Sequence, residues 1–220
     1  MKLKKNSKFI VAADGAAASG KTTGSRIISR KYGLKFLSSG LLYRYAGQQL
    51  LKYKPKNEIK FLKLKFKKLN YNKINKINLH SQRISEYTSI IAKQKKIRNI
   101  LKKFQQDFAS KHKRVCIEGR DIGTIILPKA DLKFFFICNL KIAAKRRFKE
   151  LKKKNKFLKF ENVKKELQNR NLRDVSRKNS PLLKSPDAVI VDTGKLKKIP
   201  DMINKMSEIM ESKIRSKYGS

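Results

Sequence analysis

Phe9-Ile10-Val11-Ala12-Ala13 runs into Asp14-Gly15-Ala16-Ala17-Ala18-Ser19-Gly20-Lys21-Thr22-Thr23, and this stretch decides the fold. The five apolar residues form the short unbroken run of a strand buried in a parallel sheet. Gly15 to Thr22 then fits G-x-x-x-x-G-K-[ST] without a mismatch. Lys21 to Tyr32 reads as a helix, with Gly33 placed as its C′ residue. Between a strand and a helix, this pattern cradles phosphate. Small residues let backbone N–H groups curl round an anion, and the helix N-terminus adds partial positive charge. Lys21 reaches the β- and γ-phosphates as a point charge, while Thr22 or Thr23 offers a hydroxyl to Mg2+ or phosphate. The stretch implies nucleotide binding. It does not select a reaction, because GTPases, ATPases, helicases and small-molecule kinases share it.

Working outward, Leu34 to Leu37 is a second short strand, and a helix is expected over about 41–51. Residues 52–78 alternate Lys, Asn, Ile, Leu and Phe loosely, as a peripheral, partly helical insertion would. Helical periodicity resumes from Ser85 to Phe108, with Ile90, Ile97, Leu101, Phe104 and Phe108 on one face. Arg114 to Glu118 and Leu132 to Asn139 read as strands, the first ending in the polar turn Gly119-Arg120-Asp121. A helix starts near Lys141, and the charged stretch 146–165 is expected in solvent as a flap. Ala188 to Asp192 is the last strand, and a final helix spans about 199–214. Strands alternating with helices specify an α/β fold with a parallel sheet.

The chain's 220 residues fit one domain, and 40% hydrophobic residues suffice for a core. No apolar run approaches the ~20 residues of a membrane span, and Phe9 to Ala13 is too short for a signal-peptide core. Cys116 and Cys138 are expected as buried free thiols, and His80 and His112 as surface residues. The formal charge is +41, and of the 57 basic residues only 13 are Arg, leaving 44 Lys. Such a surface is compatible with nucleic-acid binding. The A/T-rich codons of Lys, Ile and Asn are a sufficient explanation of it, and the favoured one.

Arginine is scarce here, so its clusters carry weight: guanidinium forks grip phosphate bidentately, as lysine cannot. Arg44 follows Tyr43 at a helix start, and Arg120 lies at a strand end, where a parallel sheet builds its site. Arg170, Arg173 and Arg177 recur at helical spacing with Asp174 beside them; a solvated, salt-bridged helix would show the same pattern. A phosphate acceptor also suits the lack of a positioned histidine base. A monophosphate, with a second pKa of about 6, is already an anionic nucleophile and needs cations instead.

Gly15–Thr23, Ser38-Ser39-Gly40-Leu41-Leu42-Tyr43-Arg44, Glu118-Gly119-Arg120-Asp121-Ile122-Gly123-Thr124 and Arg170-x-x-Arg173-Asp174-x-x-Arg177-x-x-Ser180-Pro181-Leu182 occur in one order. Together they resemble the bacterial cytidylate kinase family, the CMP/dCMP branch of the nucleoside monophosphate kinases, over about 9–210. The resemblance implies a five-stranded parallel core (about 8–46, 98–147 and 172–220), a monophosphate-binding insertion (about 47–97) and a short lid (about 148–171). It implies ATP, CMP and dCMP as ligands of a cytoplasmic monomer, with no specific nucleic acid and no membrane. Mg2+ would be held mainly by ATP phosphates, with Thr22 as a candidate ligand.

Residue by residue, Gly15, Ala16, Ala17, Ala18, Ser19, Gly20, Lys21, Thr22 and Thr23 would bind ATP. Arg44, Arg120 and Arg177 would hold the acceptor, together with Asp121. Arg170 and Asp174 would bridge its ribose to a closing helix. Ser39 would contact the nucleotide near Tyr43, Ser89 falls in the base-reading segment, and Arg146 would sit at the lid base near the transferring phosphates. Lys21, Arg120, Arg146 and Arg177 would be catalytic. The chain departs from the family pattern in having Ser38 for Asp, Ala18 and Thr22 for Gly, and Ile137 for an acidic or hydroxyl residue that helps recognise cytosine. Another small acceptor, such as UMP or a non-nucleotide, is the nearest alternative. A basic nucleic-acid-binding protein with a vestigial loop is the alternative from another class.

Overall fold

The structure, a computed structural model, describes residues 6–74, 77–152, 157–196 and 198–219. Its centre is a fully parallel five-stranded sheet ordered β2-β3-β1-β4-β5, flanked by helices. The strands are β1 (Phe9–Gly15), β2 (Lys35–Ser38), β3 (Arg114–Gly119), β4 (Leu132–Ile137) and β5 (Val189–Asp192). Helix α1 (Lys21–Tyr32) follows β1. Helices α2 (Ser39–Tyr53), α3 (Glu58–Lys67), the single turn α4 (Tyr71–Ile74), α5 (Gln82–Ile91) and α6 (Lys95–Ser110) lie between β2 and β3. Helices α7 (Leu140–Lys152) and α8 (Phe160–Ser176) lie between β4 and β5, and α9 (Ile199–Tyr218) closes the chain.

Because strand side chains alternate, β1 and β3 feed two cores. Ala12, Val115 and Ile117 face α2, α3 and α6, where Leu42, Leu62 and Leu101 are fully buried. Val11, Ala13 and Cys116 face α1 and α9, packing with Ile28, Met206 and Met210. Gly24 lets α1 approach closely, since a Cβ there would lie 2.9 Å from the Met206 sulfur and 3.1 Å from Phe136. Gly15 pairs with Phe136 in register, and a Cβ on it would come within 2.4 Å of the Phe136 carbonyl. Only glycine fits where the chain leaves the sheet.

Four expectations need correction. Residues 85–108 are not one helix: α5 ends at Ile91 and α6 starts at Lys95. Gln94 is extended, and the Arg98 side chain donates to the Ala92 carbonyl at 3.1 Å, holding the break. Ile90 is therefore 56% exposed and Ile91 takes the core position, whereas Ile97, Leu101, Phe104 and Phe108 do share the inward side of α6. The segment 52–78 is not peripheral, because Leu62, Phe66, Tyr71 and Ile74 complete the core under α2. The start of 146–165 is ordered helix rather than flap: α7 runs to Lys152, and Phe148 meets Phe160 edge-on at 5.8 Å. Residues 153–156 of that stretch lie outside the described residues. Cys138 is half-buried, not buried like Cys116; neither is in a disulfide. Among the described residues no helix is long and apolar enough to cross a membrane.

Candidate active site

The sheet order reverses at β1, which has β3 on one side and β4 on the other, so a crevice opens beyond its carboxyl end. Gly15–Gly20 lies there as a loop capped by Gly20 in the left-handed region (φ +81°) at the start of α1. Ala18 also has a positive φ, +57°, although it carries a side chain. The Ser19 hydroxyl donates to the Ala16 carbonyl at 2.9 Å, and the Ala17 N–H donates to the Asn171 side chain at 3.1 Å, tying the loop to α8. Thr22 and Thr23 are exposed on the first turn of α1.

Lys21 is buried, its ammonium 3.4 Å from the Ala16 carbonyl and 3.6 Å from Glu118. Burial, then the charge of Arg120, pushes its pKa down to about 8, with Glu118 opposing and Arg170 adding to the fall. Glu118 accepts the Ser38 hydroxyl, and Ser38 also caps α2 by accepting the Leu41 N–H at 3.4 Å. The Ser38 N–H in turn donates to the Tyr71 hydroxyl at 2.6 Å. Asp14, the next-to-last residue of β1, accepts the N–H groups of Ile122 and Gly123 at 2.8 and 2.7 Å. Burial nevertheless lifts its pKa to about 6.

Facing the loop is a set of arginines from three places: α2, the turn after β3, and α8 with its C-cap. Arg120, just after β3, donates Nε to Asp174 at 2.8 Å. Arg177 donates Nε to the Ser180 carbonyl at 2.5 Å and approaches Asp174 at 3.5 Å, but its buried Nη2 has no partner among the described residues. Burial alone would raise the Asp174 pKa; Arg120, Arg170 and Arg177 together hold it below the usual carboxylate range. Arg170 has no hydrogen-bond partner among the described residues, and burial followed by Arg120 and Arg44 pushes its pKa down to about 9. Arg44 donates Nη1 to the Leu79 carbonyl at 2.9 Å and to Ser85 at 2.7 Å. Burial, then Arg147, lowers it to about 10. These cations destabilise one another; Asp174 pairs with Arg120 and Arg177, whereas among the described residues Arg44 and Arg170 have no carboxylate at ion-pair distance.

The other expected residues are placed as follows. Ser39 and Tyr43 are buried on α2, with Ser39 beside Gly119. Ser89 accepts from Arg173 at 2.9 Å, so Arg173 turns to α5 and does not join Arg170 and Arg177. Arg146 is exposed and grips Thr193 through its carbonyl (2.7 Å) and hydroxyl (3.0 Å), and that hydroxyl donates to the Ser19 carbonyl. Ile137 ends β4, its carbonyl accepting the Thr193 N–H at 3.0 Å, and the Thr193 hydroxyl bonds the phosphate loop at Ser19. Asp121 is buried and accepts from Arg98.

Sequence reading missed Asp14, Arg98, Glu118, Arg147 and Asn171. Arg98 donates to Asp121, to Ser180 at 3.2 Å and to the Ala92 carbonyl, with its guanidinium 5.5 Å from the Tyr43 ring centroid. Only Asp14 and Glu118 carried a usable signal, as carboxylates directly before the glycines that end β1 and β3.

The Cytidylate kinase family model matches residues 11–212. The chain is 38% identical over 193 residues to the cytidylate kinase of Bartonella tribocorum, covering 86% of this chain and 88% of that one. It is 33% identical to that of Clostridium tetani (96% and 98% covered) and 31% to that of Fervidobacterium nodosum (94% and 98%). A phosphate loop, the facing arginine set and similarity along nearly the whole length converge on one conclusion: this chain belongs to the cytidylate kinase family.

Proposed function

We propose that the protein transfers the γ-phosphoryl group of ATP to CMP or dCMP, giving ADP and CDP or dCDP. The observation that carries this reading is the crevice with cations on both walls. Lys21 on the loop feels Arg120 and Arg170, and Arg170 feels Arg44 and Arg147. Two phosphate-bearing ligands meeting end to end would supply the missing anions. The cytidylate kinase names of its relatives specify the acceptor.

In the reaction, an oxygen of the acceptor's monophosphate forms a bond to the γ-phosphorus as the β–γ bridging bond breaks and ADP leaves. No base is needed, since that oxygen is already anionic. The loop amides and Lys21 hold the donor phosphates. Arg177, through its open Nη2, and Arg170, through its whole free fork, hold the acceptor phosphate in line. Arg120, oriented by Asp174, offsets charge that spreads over the transferring oxygens. The α7–α8 hairpin, tied to the loop by Asn171, covers the donor and excludes water that would otherwise take the phosphoryl group.

The donor set fits an Mg2+ carried by the nucleotide. Among the described residues no three His, Cys, Asp or Glu converge on a metal site. Thr22, exposed on the first turn of α1, would add one hydroxyl ligand, with Glu118 nearby behind Lys21. Held there, Mg2+ would supply charge neutralisation to the donor phosphates. The protein is expected to act as a cytoplasmic monomer on free nucleotides, since its +41 charge opposes self-association.

ADP release in a coupled assay with CMP, dCMP, UMP, AMP and GMP tests the proposal. Turnover with CMP or dCMP at least tenfold above the others is expected. A folded, ATP-binding preparation that turns over neither at millimolar concentration contradicts it.

A further inference from the structure

Away from the crevice, a half-open cavity of about 1300 Å3 lies between the free edge of β2 and helices α3, α4 and α6. Its floor is aromatic: Phe36, Phe66, Phe104, Phe108 and Tyr71. Edge-to-face pairs lock Phe66 to Phe104 at 5.6 Å and Tyr71 to Phe108 at 5.8 Å, tying the walls together. Lys35, Lys63, Lys67, Lys96, Lys103 and Lys111 line it from three elements. The one acidic lining residue, Asp107, pairs with Lys103 at 3.3 Å. Among the described residues the other five lysines have no carboxylate partner.

Like charges gathered round an apolar floor repel one another until an anion arrives. The occupant that matches both features carries negative charge and an apolar body. A second copy of this chain does not, because it brings the same +41. Small-ligand pockets typically enclose ~300–1,000 Å3, so this volume suits an elongated molecule. Because the cavity is recessed rather than flat, it suits a free molecule better than a bilayer surface. We propose that it binds a free amphiphilic anion, a medium- or long-chain carboxylate or phosphate ester. The chain would lie along the phenylalanines and the head group among the lysines. The site is separate from the nucleotide crevice, and binding to it can be measured without catalysis.

Titration calorimetry of the wild-type protein with monomeric dodecanoate tests this, with dodecanol as the uncharged control. Saturable one-to-one binding is expected, at least tenfold tighter for dodecanoate than for dodecanol. Reversing two exposed lysines of α3, Lys63→Glu with Lys67→Glu, is expected to weaken dodecanoate at least tenfold. Lys213→Glu with Arg215→Glu on α9, across the sheet, should stay within twofold; thermal melting checks that both pairs fold. Absent saturable binding, equal loss in both pairs, or dodecanol binding as tightly would overturn the proposal. So would association only with phosphatidylglycerol vesicles, or with octathymidylate but not dodecanoate.

Discussion

Two buried arginine environments meet at Ser180, which bonds both Arg98 and Arg177, and they answer different needs. Arg98, at the junction of α5, α6 and the Gly-Arg-Asp turn, spends its donors on Asp121, Ser180 and the Ala92 carbonyl. Arg177 leaves a buried Nη2 unpartnered, and Arg170 has no hydrogen bond among the described residues. Burial of a guanidinium is costly in both places, but only the first is fully offset within the protein; Asp174 and the Ser180 carbonyl answer Arg177 in part. The first fastens the structure; the second waits for a ligand. Substitutions should therefore separate stability from activity.

The largest effect is expected at Lys21. Lys21→Met should lower kcat/KM by roughly 10³, with ATP binding weakened, while the melting temperature of the free protein rises at pH 7. Arg98→Leu should strike the other quantity. It strands the buried Asp121 carboxylate and should cost about 3 kcal/mol, or about 6–12 °C in Tm. Arg177→Ala should leave Tm within a few degrees yet lower kcat/KM for CMP about 100-fold. If Arg177→Ala melts as Arg98→Leu does, the division fails.

The pH dependence sharpens the same contrast. Lys21 has a folded pKa near 8 against an ordinary 10.5, so between those values the unfolded chain binds more protons. The free protein then gains stability as pH rises from 8 to 10.5, and the penalty on charged Lys21 is fully present below pH 8. Lys21→Met should be more stable than wild type at pH 7 by on the order of 2–3 kcal/mol in denaturant melts, the gap closing by pH 10.5. The smallest effect concerns Ala18, whose φ of +57° favours glycine. Ala18→Gly should stabilise by about 1 kcal/mol in the same melts.

The phosphate loop was legible because its conformation is local, set by glycine positions and the strand–helix switch. The sheet's alternation with helices was legible for the same reason. Arg44, Arg120, Arg170 and Arg177 could be named from spacing and scarcity, but spacing could not tell that Arg173 turns to Ser89. Arg98 escaped because its partner Asp121 is brought to it by the fold, and Tyr71 because it reaches Ser38 from α4, 33 residues on in the chain. The periodicity over 85–108 concealed a break because apolar residues flank it on both sides. The family pattern drew attention to Ile137 as a base-reading position; its carbonyl bonds Thr193, a contact made by the fold that no spacing in the sequence announces.

The central claim is that one crevice grips donor and acceptor phosphates at once. A bisubstrate compound, cytidine and adenosine joined through five phosphates, would span both sets of cations. In thermal melts it should raise Tm well beyond ATP and CMP added together, and Arg177→Ala should remove most of that excess. A shift no larger than ATP alone produces would contradict the account.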